Sequence, residues 1–174
     1  MRTRNIAIIL FGTTILFAGP VRADDVKPNP LDAIPDKMPF DVPYGTPISL
    51  DRAKAVIDAA VAEAKHHDWK MNCAVVDSGA NLVAFQRMDG AQLASIQVSE
   101  HKARAAAMFR RETKVFEAGI QNGNVQTLSL DGVIGSRGGI PLVEDGKLIG
   151  AIGCSGGTSS QDEVTAKAGV ALMK

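Results

Sequence analysis

The last third of the chain sets the tightest limits on its fold. Gly138-Gly139-Ile140-Pro141-Leu142-Val143 leads through Asp145-Gly146 into Ile149-Gly150-Ala151-Ile152-Gly153-Cys154-Ser155-Gly156-Gly157, and Gln161-Asp162-Glu163 follows. Asp-Gly between two short apolar runs predicts a hairpin, because tight turns that match strand twist need positive φ, which Asp and Gly tolerate. The second strand runs out into glycines, and Ser160 with Glu163 three residues on predicts a capped helix start. Free N–H groups at Gly156 and Gly157 ahead of that helix can hold a carboxylate or phosphate. Glycines also simply permit a tight strand-to-helix connection, and both readings stay open.

Upstream, Ser49 predicts the cap of a helix in which Leu50, Ala53, Ile57, Ala60 and Ala64 form a stripe that packs on a sheet. Two strands, Asn72 to Val76 and Asn81 to Arg87, are joined by the turn Asp77-Ser78-Gly79-Ala80. An alanine-rich helix runs from about Leu93 to Phe109, and a shorter one from Lys114 to Gln121 ends at Asn122-Gly123-Asn124. A glycine-bearing loop from Thr127 to Gly139 precedes the last hairpin. The final helix, about Gln161 to Met173, is expected to bury Val164, Ala168 and Ala171 or Leu172. Helix, hairpin, helices, hairpin, helix gives an α/β (α+β) sandwich, a mainly antiparallel sheet with helices packed on its faces.

Arg2 and Arg4, an apolar run from Ile6 to Ala18, and Val21-Arg22-Ala23 before Asp24-Asp25 predict a signal peptide over residues 1–23, cut after Ala23. The apolar run is short of the roughly 20 residues that a membrane span needs. The expected product is periplasmic or secreted, with no membrane segment after signal removal. It is about 150 residues long, the size of one domain. Residues 24–48 form an extended arm, since Pro28, Pro30, Pro35, Pro39, Pro43 and Pro47 remove backbone donors. Met38, Phe40 and Tyr44 are its candidate anchors. Residues 49–174 are the domain proper. Formal net charge is zero and no basic stripe occurs, which argues against a nucleic-acid partner. Cys73 and Cys154 both lie in apolar strand-like runs; they pair if those strands are adjacent, or stay as buried thiols.

The pattern from Gly138 through Glu163 resembles the family of GlcG proteins and HbpS-type haem-binding proteins, also seen as the C-terminal domain of PduO-type proteins. Ala74-Val75-Val76-Asp77 with Gly79, Leu82-Val83-Ala84-Phe85, Arg87-Met88-Asp89-Gly90-Ala91 and Lys102-Ala103-Arg104-Ala105-Ala106 fall in the family's order. The resemblance covers about Leu50 to the C-terminus. It implies a profilin- or roadblock-like sandwich, a haem ligand and assembly into a homo-oligomer.

Haem needs an iron ligand or a flat apolar slot with cations for its propionates. Of the three histidines, His66 and His67 end the first helix, where they also suit the helix dipole, and His101 lies among polar neighbours. Tyr44, Met71 and Met88 are further candidate ligands. Arg87 can grip a ligand carboxylate with Asp89 orienting it, or else tie loops through Asp89 or Glu163. Arg137 is a second anion contact, and Gly138, Gly139, Gly156 and Gly157 would let backbone approach a flat ligand. Asp162 and Glu163 read as dipole-compensating residues. The spacing Gly132, Gly135, Gly138, Gly139 fits neither a dinucleotide fingerprint nor a P-loop, and no nucleophile elbow or zincin motif occurs. Three functions are open: an exported haem-binding protein for sequestration, sensing or haem handling; an enzyme or accessory protein for a small organic acid; or a structural subunit of an exported redox system.

Overall fold

The computed structural model describes residues 33–38 and 40–173. The expected signal peptide and the arm through residue 32 lie outside the described residues, and residues 33–37 carry no helix or strand. The folded unit from Met38 onward comprises α1 (Leu50–His66), β1 (Asn72–Asp77), β2 (Leu82–Arg87), α2 (Ala94–Met108), α3 (Lys114–Gln121), β3 (Gly139–Glu144), β4 (Lys147–Ser155) and α4 (Ser159–Val170). A 3-10 turn, Val125–Ser129, follows α3, and another, Ala171–Met173, ends α4.

Two hairpins make one sheet. The strand order is β2-β1-β4-β3 with every neighbouring pair antiparallel, so the hairpins meet along β1 and β4. Asp145 and Gly146 both adopt positive φ, as the two-residue turn of the second hairpin requires. In the first, Asp77 Oδ1 accepts from the N–H groups of Gly79 (2.8 Å) and Asn81 (2.9 Å), an Asx turn that lets Ala80 take the positive φ. Tyr44 bridges Leu148 in parallel, and its hydroxyl donates to Met108 O (2.9 Å). Met38, by contrast, stays exposed.

Alternation along the strands builds two cores. Cys73, Val75, Ile152 and Cys154 lie on the face covered by α1 and α4 with Val56, Ile57 and Ala166, whereas Ala74, Val76 and Ala151 meet Ala103, Ala106 and Ala107 of α2. The alanines bring α2 down onto the sheet. A Cβ on Gly153, or on its cross-strand partner Gly139, would collide with α2 backbone at Ser99 and Lys102. Cys73 and Cys154 face each other in register and form a disulfide.

Ser49 caps α1 as expected, its hydroxyl accepting from Arg52 N–H (3.4 Å), but Leu50 remains half exposed. The start of α4 differs from expectation. Thr158 is the cap, and Gln161 completes the box by accepting from Thr158 N–H (2.8 Å). Thr158-x-x-Gln161 lies two residues before the Ser160-x-x-Glu163 pattern and closes first, because β4 ends at Ser155 and only two glycines separate it from the cap. The inward side of α4 is Asp162, Thr165, Ala166 and Gly169, while Val164 and Leu172 are exposed. The tie from Asp162 to α2, described next, turns that small polar side inward.

Candidate functional site

The glycine loop and the start of α4 converge on a buried ion pair. Lys102, 1% exposed, reaches from α2 past Gly139 to place Nζ 2.6 Å from Asp162 Oδ2 and 3.4 Å from Cys154 O. Asp162 Oδ1 accepts from the N–H groups of Gly156 (3.0 Å) and Gly157 (3.1 Å). The carboxylate expected at that glycine pair is therefore the protein's own. Burial pushes the Asp162 carboxyl up from the ordinary aspartate range, while Lys102 and the two glycine N–H groups oppose the rise. Gly138, with φ +113°, passes against Asp162, and its O accepts from Cys154 N–H (3.0 Å). Gly139 exchanges bonds with Thr113: its N–H donates to Oγ1 and its O accepts from Thr113 N–H, both at 3.0 Å. All four glycines of the expected ligand loop are thus engaged inside the fold.

The outer rim of this junction is a charge network. Glu163 accepts from Lys114 (3.3 Å), Lys167 (2.5 Å) and Arg137 (3.3 Å), and Arg137 also pairs with Glu117 (2.8 Å). Burial alone would raise both carboxyls, but Arg137 holds Glu117, and Lys167 with Lys114 holds Glu163, below the usual carboxylate range. Their contribution to stability is full above the unfolded value of about 4.3 and is lost as pH falls through the lower folded values. Acid titration followed by circular dichroism should show this network's contribution lost below about pH 4, set against an opposite gain from Asp162, whose raised carboxyl takes up a proton more readily in the folded state. Arg137→Met should flatten that loss; an unchanged profile would show that the network adds nothing.

Arg87 ends β2 beside a hollow of about 300 Å³ shared with Lys65, Lys70 and Asp89. Among the described residues it forms no ion pair with Asp89 or Glu163, so the expected loop ties are not made. Lys70 is held by Asp68 (2.5 Å). The three histidines do not converge. His67 pairs with Glu63 (3.1 Å) and stacks on Trp69 at 4.3 Å, with His66 edge-on to it, whereas His101 stands half-buried on α2. Among the described residues no group of three or more His, Cys, Asp or Glu could hold a metal ion. Met71 and Met88 are core residues, Met88 Sδ accepting from Met71 N–H (3.4 Å).

The larger opening lies elsewhere. A cleft of about 730 Å³ between α3 and the chain around Phe40 is lined by Phe40, Phe109, Phe116, Val115 and Leu130, with Arg111 in its wall. Phe40, a candidate anchor from its place in the arm, forms one wall of it, but its meeting with Leu130 and α3 depends on the tertiary fold and has no local signal. Lys102 stands in the sequence only as part of an alanine-rich segment, yet its place with Ser95, Ser99 and Ala106 on the sheet-facing side of α2 follows a helical period that carries one charge inward.

A four-stranded antiparallel sheet carries helices on both faces, with an internal ion pair at its glycine loop and an open aromatic cleft beside α3. Residues 48–171 match the family described as haem-degrading protein HbpS-like, and the chain belongs to that family. It is 40% identical over 108 residues to Protein GlcG of Escherichia coli strain K12, covering 62% of this chain and 81% of that protein. Its fold matches the crystal structure of HbpS with a TM-score of 0.69 at 27% identity, over 77% of this chain and 95% of that one. It matches a PduOC:Heme complex with a TM-score of 0.66 at 27% identity, over 72% and 94% of the two chains.

Proposed function

We propose that this protein is an exported haem-binding protein, acting in sequestration, sensing or haem handling. The observation that carries the reading is membership of the HbpS-like family together with the fold shared with the PduOC:Heme complex along 94% of that neighbour's chain. The aromatic cleft suits an apolar ring with acidic substituents, but none of the three histidines lines it. Among the described residues His101 makes none of the ring contacts that engage His66 and His67, nor an ion pair like that of His67 with Glu63, and is the better proposed iron ligand. Bound haem would supply a ligatable iron and two propionates; the chain's part is to hold the ring away from water and to neutralise its acids. No helix among the described residues is long and apolar enough to cross a membrane. Export and self-assembly belong to the same proposal, the latter supported by Leu93, Val125 and Leu128, each more than 60% exposed.

Titration of haemin into the purified protein should give a saturable Soret shift with a defined stoichiometry. His101→Ala should weaken binding more than His66→Ala. Flat or non-saturable spectra would remove the haem reading and turn attention to the hollow at Arg87 and a small organic acid. Unchanged spectra and affinity in His101→Ala would remove that residue alone.

A further inference from the structure

We infer that the cleft between α3 and Phe40 is a binding site for an apolar carboxylate, with Arg111 as its counter-ion. The inference rests on the haem reading for the class of ligand, but not on His101 or on iron.

Arg111 is prepared for this role. Its Cζ lies 3.6 Å from the centroid of the Phe40 ring and 5.5 Å from that of Phe116, so two aromatic faces flank the guanidinium. Stacking occupies the faces of a guanidinium and leaves its edge to donate. Nε donates to Phe109 O (3.2 Å), but among the described residues the two terminal nitrogens have no carboxylate within bridging distance. Among the described residues no acidic side chain lines the cleft. Burial and the neighbouring Arg110 both work against the Arg111 charge, a cost that an incoming carboxylate would offset through a bidentate pair.

The rest of the cleft fits the apolar part of such a ligand. Phe109 and Phe116 stand edge to face at 5.1 Å, with Val115 and Leu130, both about half exposed, on the rim. One further group waits for a partner: Asn124 Oδ1 is buried and accepts no hydrogen bond. Open space reaches the helix backbone at Gly119, where an added Cβ would meet nothing nearer than Asn124 Cβ at 4.0 Å. A side chain at 119 therefore fills the cleft without straining α3, and replacing a helical glycine favours the helix.

Fluorescence titration of the purified protein with iron-free protoporphyrin IX tests the site. Saturable binding is expected, with the dimethyl ester of the same porphyrin bound roughly tenfold or more weakly, since it keeps the ring and loses the charges. Arg111→Met should cost the free acid a similar factor and leave the ester unaffected. Gly119→Leu should abolish binding while melting no lower than the parent. Competition by dodecanoate separates the two sources of the shared chemistry: displacement extends the site to acyl carboxylates, and persistence of bound porphyrin assigns it to propionates. Equal affinity for acid and ester, undiminished binding by folded Gly119→Leu, or no binding of either acid overturns the inference. A haemin Soret shift that survives Gly119→Leu would overturn it and keep the haem reading. Arg111-dependent porphyrin binding without any iron-dependent spectral change would do the reverse.

Discussion

Lys102→Met should destabilise the protein by about 3–5 kcal/mol, the usual cost of leaving one member of a buried ion pair alone. The methionine keeps the volume and reach of the lysine stem, so the loss measures the charge more than a cavity. Asp162, 3% exposed, would be left with only the two glycine N–H groups. For a domain of this size the corresponding drop in melting temperature is on the order of 10 °C. The sharper test is the double variant Lys102→Met/Asp162→Asn. Asparagine keeps the Oδ1 acceptor for Gly156 and Gly157 and removes the unpaired charge, so it should recover much of the stability. A double variant as unstable as Lys102→Met would show that the pair does not act as a unit. A single variant melting within about 3 °C of the parent would remove the central role given to it.

The same pair shows where sequence reading stops. Both hairpins, the four helices and their order follow from local signals: Asp145-Gly146 names its turn, Ser49 names its cap, and α3 falls on Lys114–Gln121 as read. These are short-range effects of φ preference, capping and period. The inward face of α4 is not local. Val164 has the hydrophobicity and Asp162 the charge, yet Asp162 is buried because a lysine 60 positions away reaches it. The glycines at 138, 139, 156 and 157 read equally as ligand donors or as places where backbone must come close. The structure gives them close approach to α2, to α4 and to the chain at Lys70 and Met71, and engages the Gly156 and Gly157 donors internally. Arg111 carries no motif at all, and only the folded chain sets it between Phe40 and Phe116.

Opening the disulfide between Cys73 and Cys154 should cost roughly 4 kcal/mol, because it closes a loop spanning 81 positions and removes that much freedom from the unfolded chain. Its place adds to the effect. The bridge joins β1 to β4, the one strand pairing that holds the two hairpins together, and the loop it closes contains α2 and α3. Both sulfurs lie within the core shared with α1 and α4, so a reductant can reach them only after local opening. Slow reduction under native conditions is expected, followed by a much lower melting temperature for the reduced chain. Comparing oxidised and reduced forms of the same sequence avoids the cavity that a cysteine-to-alanine change would leave. The result bears on location as well as stability, since disulfides persist in oxidising compartments and are kept reduced in the cytosol. If the reduced protein melts as the oxidised one does, the cysteines serve only as packing and the proposal of export loses its physical support. If it melts far lower, a fold stapled in this way has its full stability only where the bridge can survive.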